Sequence, residues 1–357
     1  MTGQNPLRAL MALSLLAWSA TALAHGGEVE EGQSWWALWQ WSPEILIALA
    51  LAAAVYLRGV FRGPRPPVPH VLAFLGGLVA LFAALVSPVE PLADHIFAVH
   101  QVEHMLLRTV GPMLIFLSMP QAVLMRGLPF GLRRSLAGTI AGNGPIRRFF
   151  GLLTRPAVAT FLFLLASYFW MVPHWHDLAI LDEPIHYGWH ISLLVSGLLF
   201  FAVLFDPRRP PLGAPLGQRL AMFVVAALGN IVLGAFLTFK TVPLYHAYLH
   251  IGHFWHVPMT LDEQTGGAIM WIPGCMMYAI SAGVLLYRWG RQETRDHDVR
   301  VRDGRAAVAR AQGANGRLAL GLAGFAVAML SLAFGVAITI HHMEESQAMA
   351  APVSTAH

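Results

Sequence analysis

Two histidine pairs, His100/His104 and His186/His190, stand in apolar stretches, each pair four residues apart. On a helix that spacing puts both imidazoles of a pair on one face. Ionisable side chains cost about 2.5–3.5 kcal/mol each at mid-membrane on insertion scales, so such a cluster marks a functional site by default. Four neutral imidazoles suit copper or zinc. The same pairs could also clamp haem axially, with one histidine from each helix. Glu103 stands next to His104 and is placed to accept a hydrogen bond from a ligand ring. Arg108, four residues on from His104, is a fixed cation that opposes histidine protonation and so keeps the rings in the form a metal requires. Met105 and Met270 offer soft thioether donors suited to Cu(I), although methionine in an apolar helix more often serves packing.

The elements that must position these groups follow from composition. Of 357 residues, 56% are hydrophobic and 12% charged, with a mean hydropathy of +0.58. Soluble domains carry about 25% charge, so the chain is read as an integral membrane protein, all-α. Apolar runs near 43–61, 70–87, 95–118, 156–173, 185–205, 218–239, 266–287 and 317–340 predict about eight transmembrane helices in a bundle. Residues 1–24 read as a signal peptide ending in Ala22-Leu23-Ala24. Residues 25–42 form an outer segment whose tryptophans anchor at the interface, and 341–357 form an outer tail. Cleavage would leave His25 as an amino-terminal histidine able to chelate copper through its α-amine and ring.

Of the 23 Lys and Arg residues, all but Arg8, Arg108 and Lys240 fall in the connections after the first, third, fifth and seventh spans. The positive-inside rule makes those connections cytoplasmic and both mature termini external, in a bacterial inner membrane. All the histidines but His70 and His297, and most acids, fall on the opposite side. The third and fifth spans then run in the same direction and carry their histidine pairs at similar depth near the outer end, with His95 at the entrance. An outer loop with His246, His250 and His253 at i, i+4, i+7 reads either as a metal-loading stripe or as the polar face of an amphipathic segment. Cys275 is the only cysteine, which excludes an intrachain disulfide, a Cys-x-x-Cys-His haem attachment and multi-thiolate metal sites. There is no phosphate-binding loop, Rossmann fingerprint or nucleophile elbow, and no enzymatic role is expected.

The run His100-Gln-Val-Glu-His104-Met105-Leu106-Leu107, followed by Gly111-Pro112 and Leu117-Ser118-Met119-Pro120, resembles a signature of the polytopic CtaG family of cytochrome c oxidase assembly factors, associated with caa3-type oxidases. His174, Asp177, His186 and His190 resemble that family's next outer loop and helix. Leu261-Asp262-Glu263-Gln264-Thr265-Gly266-Gly267, with Met270-Trp271-Ile272-Pro273-Gly274, resembles a third block. The resemblance covers roughly residues 70–290. It departs from the family pattern at Glu103, where Gln is usual, and at Arg108, a position normally apolar.

The resemblance implies a factor that matures a haem–copper oxidase by handling copper on the outer, periplasmic face. The metal-ligand set is then His100, His104, His186, His190, His174, His95, His25, Met105 and Met270, supported by Glu103, Arg108, Asp177, Asp262 and Trp271. The expected partners are an oxidase subunit or a periplasmic copper chaperone, and membrane lipid; nucleic acid is not among them. A b-type haem oxidoreductase and a copper transporter are the alternatives. The absence of a polar ligand ladder running inward weighs against the transporter.

Overall fold

A computed structural model of the chain describes residues 38–302, apart from 142–143, 211 and 253–256, together with 324 and 331. The signal peptide, His25, the span at 317–340 save those two residues, and the C-terminal tail lie outside the described residues. Thirteen helices are described: α1 Pro43–Phe61, α2 Val68–Leu85, α3 Val89–Ala93, α4 Phe97–Leu117, α5 Gln121–Gly127, α6 Phe130–Ala141, α7 Pro145–Leu153, α8 Pro156–Trp170, α9 Pro173–Leu181, α10 Glu183–Leu204, α11 Leu216–Phe239, α12 Ala247–Ile251 and α13 Met259–Arg302. No strand occurs among the described residues.

Five of these helices (α1, α2, α10, α11 and α13) are long and apolar enough to cross a membrane. Two bent pairs, α4 with α5 at 80° and α7 with α8 at 69°, raise the number to seven if each counts as one span. These seven coincide with the first seven predicted segments. Large apolar side chains on their outer faces, such as Leu72 at 63% exposure and Val232 at 63%, face the surroundings rather than the protein. That is the pattern of lipid-facing helices, which lose nothing by leaving leucine outside.

The expected basic loop at 119–155 is largely helical instead, with α5, α6 and α7 separated by short breaks before Pro129, Pro145 and Pro156. Each proline sits where a helix starts, its missing N–H costing nothing there. The seventh predicted span also extends well beyond its predicted ends. α13 begins at Met259, which brings Asp262 and Glu263 onto its first turns, and it continues through Pro273 to Arg302.

α4 is the central element and is not uniform. It is α-helical over Phe97–Met105, opens into a π turn over Leu106–Val110, and returns to α-helix over Gly111–Leu117. Within the π turn, the Arg108 carbonyl has Gly197 of α10 packed directly against it. A Cβ at Gly197 would run into that oxygen. This contact allows α10 to lie close along α4. On the periphery, Gly59 of α1 and Gly127 of α5 pack against each other's helix in the same way. Without a hydrophobic driving force in lipid, such small-residue contacts supply the van der Waals packing that joins helices.

Two apolar layers fill the bundle. Phe97, Trp189, Tyr245 and Tyr248 belong to the layer around the histidine pairs. Phe163, Phe200, Phe201 and Tyr278 belong to the other.

Candidate metal centre

The two histidine pairs converge. His100, His104, His186 and His190 each offer a ring nitrogen, and these four atoms lie within 4.8 Å of one another. They do so because each pair occupies one face of its helix, near the amino-terminal ends of α4 and α10, and those helices run the same way. Nε2 of His100 and Nε2 of His104 are 2.8 Å apart. His100 is fully buried, while His104 and His190 are 7% and 8% exposed.

Glu103 is fully buried as well, and neither carboxylate oxygen has a hydrogen bond among the described residues. Its Oε1 lies 3.3 Å from Nε2 of His190. A desolvated carboxylate with so little compensation is costly. A cation held by the four imidazoles would offset it. Zinc- or copper-type bonds of about 2.0–2.1 Å to nitrogen need only modest closure of such a cluster. The donor chemistry therefore fits a metal ion. His186 lies toward an acidic rim, with its Nδ1 3.6 Å from Oδ1 of Asp94.

A chain of hydrogen bonds fixes the orientation of His100. Nδ1 of His176 lies 3.2 Å from the Trp170 carbonyl oxygen, and Nε2 of His176 lies 3.1 Å from the Tyr248 hydroxyl. The Tyr248 hydroxyl in turn lies 3.0 Å from Nδ1 of His100. Burial pushes His176 down to about 3, and the charge of a protonated His186 would push the same way, against the Trp170 hydrogen bond. Burial also raises the Tyr248 phenol well above its ordinary range. Both groups are therefore neutral at ordinary pH, and the protons can be assigned. Since only a donor can face a carbonyl, His176 carries its proton on Nδ1 and accepts from Tyr248 at Nε2. Tyr248, having donated its one proton, accepts from Nδ1 of His100. Nε2 of His100 is then left with its lone pair facing the other rings, as a ligand requires.

Trp189 of α10 is fully buried and packs against His100 and His104, with ring centroids 4.8 and 4.5 Å away. Neither Trp189 nor Tyr248 nor His176 was among the residues expected to form the site.

Several expected site residues lie elsewhere. His174 is exposed beside Trp175. α9 starts at Pro173, and its phase turns His176, not His174, inward. His95 is buried, but its Nδ1 is 2.9 Å from the Gly252 carbonyl oxygen, outside the cluster of four. In the outer loop, His246 and His250 are exposed, His253 lies outside the described residues, and α12 is only five residues long. The loop sends in Tyr248 rather than a stripe of histidines.

Arg108 lies within the π turn. Its Nη2 donates to Tyr278 at 3.2 Å and Asn230 at 3.4 Å, and its guanidinium lies 4.0 Å from the centroid of the Phe163 ring. It borders a cavity of about 30 Å³, room for a water or two, together with His104, Met105 and Met270. The methionines thus line this cavity beside a fixed positive charge, which opposes a second cation there.

Of the three remaining residues, Asp262 and Asp177 act on the backbone and Trp271 on a side chain. Asp262 accepts from the N–H groups of Phe97 at 2.7 Å and Ala98 at 2.9 Å, capping α4 from the first turn of α13. Asp177 accepts from the N–H groups of His246 and Ala247, at the start of α12. Trp271 donates to Thr238 at 3.2 Å and packs against Gly234, joining α13 to α11. Glu263, ion-paired with Lys240, accepts from the N–H groups of Leu244 and Tyr245 and so anchors the loop that carries Tyr248.

The family model for the cytochrome c oxidase caa3 assembly factor (Caa3_CtaG) matches residues 54–292, the stretch that holds every residue of this site. A Mycobacterium leprae protein described only as uncharacterised is 28% identical over 287 residues, covering 76% of this chain and 42% of that protein. A similarly described protein of Mycobacterium bovis is 27% identical over 251 residues, covering 66% and 36%. The chain spans less than half the length of these curated relatives. No solved structure matches.

Proposed function

We propose that this chain, which belongs to the cytochrome c oxidase caa3 assembly factor family, serves oxidase maturation by holding copper as cargo at His100, His104, His186 and His190 and releasing it to an oxidase subunit. The observation that carries this reading is the convergence of four imidazoles beside the unsatisfied carboxylate of Glu103. Family membership supports the oxidase as the destination, and the nitrogen donor set suits copper. The arginine asymmetry of the sequence supports placing the site on the periplasmic side, where a metal could arrive from a chaperone.

In this reading the protein makes and breaks no covalent bond in a substrate. Tyr248 and His176 hold His100 in the ligating tautomer, Trp189 keeps water from the rings, and Glu103 balances the cargo's charge. Nε2 of His104, which faces the lone pair on His100, must pass its proton to Nδ1 as the ion enters, a tautomer shift that leaves the ring neutral and frees Nε2 to ligate.

The haem alternative is less well supported. A porphyrin would have to lie between one axial ring from α4 and one from α10, but the cross-helix rings His100/His186 and His104/His190 have centroids only 5.3 and 5.4 Å apart, and Trp189 packs on His100 and His104.

The test is to load the purified full-length protein with Cu(I), measure bound metal, and record its absorption spectrum. Copper should bind at one site and be lost in the double variant His100→Ala/His104→Ala, whose host membranes should contain copper-deficient oxidase. Stoichiometric haem in the isolated protein, or a fully metallated oxidase in cells carrying the double variant, would overturn the proposal.

A further inference from the structure

The opposite end of the bundle carries a second polar site. It lies about 21 Å along α10 from the histidines, counting 1.5 Å per residue from His190 to Leu204. There the ends of α4, α10 and α11, with the 285–292 stretch of α13, surround a pocket of about 190 Å³. Four guanidiniums border it, from Arg208, Arg209, Arg219 and Arg288.

Their pairing leaves a charge surplus. Arg208 is bidentate on Asp206, and Arg209 pairs with Asp296. Arg219 is 8% exposed and donates only to backbone carbonyls, those of Leu204, Asp206, Arg208 and Ala214. Arg288 donates to the Leu117 carbonyl at 2.6 Å and lies over the Phe205 ring. Among the described residues, two carboxylates thus face four guanidiniums. Positive charge drawn out of water without counter-charge is costly, and an anion restores the balance. The remaining walls are apolar, with Phe205, Leu285 and Trp289 at the level where the helices end.

We infer that this pocket binds the phosphate-bearing head group of an anionic phospholipid. Guanidiniums are suited to phosphate oxygens, basic pockets between membrane helices on the arginine-rich side take such head groups, and the apolar wall fits the lipid beyond its phosphate better than it fits a solvated ion. Bound there, the lipid ties the 205–215 connection to α13 and the end of α4.

The experiment uses the full-length protein extracted from vesicles containing phosphatidylglycerol and phosphatidylcholine, with retained lipid counted by native mass spectrometry. Phosphatidylglycerol should be retained selectively. Arg288→Gln and Arg209→Gln should each weaken retention about fivefold and their combination about 25-fold, while Arg133→Gln on α6 should leave it unchanged. Arg219 is kept, because its hydrogen bonds hold the connection together. Thermal melting in neutral detergent verifies that each variant is folded. Equal retention of the two lipids, or folded pocket variants that bind like the parent, overturns the inference. Displacement of the lipid by inorganic phosphate at comparable concentration would assign the pocket to a soluble anion and equally overturn it.

Discussion

The Tyr248 hydroxyl lies 3.0 Å from Nδ1 of His100, although the two residues are 148 positions apart in the chain. This contact makes a five-residue helix outside the spans responsible for the tautomer of a histidine inside one. Removing the hydroxyl in Tyr248→Phe leaves the ring and its packing but frees His100 to protonate Nε2. Loss of such an outer hydrogen bond should weaken metal affinity about 10–100-fold. Competition against a chromophoric Cu(I) chelator measures it, and an unchanged affinity would remove Tyr248 from the site.

The approach of α10 to α4 depends on Gly197. Any side chain there meets the Arg108 carbonyl, which backbone cannot move aside cheaply. Gly197→Ala should destabilise the bundle by about 1–3 kcal/mol through overpacking and separate the two histidine pairs. The expected signature is a lower melting temperature together with less bound copper per folded chain. Melting that drops while copper content holds would mean that the pairs tolerate the displacement.

Asp262 caps α4 although it belongs to α13. Asp262→Ala should cost about 0.5–2 kcal/mol, the range for loss of a capping side chain. Asp262→Asn, which keeps an acceptor, should cost less. A denaturation series comparing the two variants decides whether the carboxylate acts as a cap.

The acid at position 90 gives a pH signature. Burial, with the neighbouring Asp94 and Glu183 carboxylates adding to it, pushes Glu90 up to about 8. An unfolded chain releases this proton near the ordinary carboxylate value of about 4.3. The folded protein keeps it until about pH 8, so between these limits folding takes up a proton. The contribution to stability is complete below the lower limit and is lost as pH rises towards the upper one. Melting temperatures should therefore fall across that window in the parent and fall less in Glu90→Gln. Parallel profiles would contradict the assignment.

Much of the frame was legible in the sequence because it rests on local rules. Apolar runs of spanning length appear as helices, and a four-residue spacing on two helices running the same way predicts that His100/His104 meet His186/His190. What escaped depends on contacts distant in sequence or on the phase of short elements. Tyr248 reaches His100 from a loop whose apparent signal was its histidines. His174 and His176 differ only in which side of α9 they occupy, and that follows from the helix starting at Pro173. Asp262 reads as a site residue because it stands in the third block of the family resemblance, yet its hydrogen bonds include backbone N–H groups 164 and 165 positions away. Arg108 borders one cavity with His104, as its spacing predicts, but its hydrogen bonds to Asn230 and Tyr278 were not legible, nor was the departure of α4 from α-helical winding.

That departure at Leu106–Val110 fits one more residue into the turn than α-helical winding would use. The histidine half of α4 and the half beyond Gly111 are consequently wound out of step, and each can mesh with its own neighbours: Trp189 and Tyr248 on one side, Leu81 and Gly77 on the other. Deleting a single residue from the turn would bring the two halves into step at the expense of one of those fits. The length of this segment therefore shapes the histidine cluster as much as the identity of its histidines does.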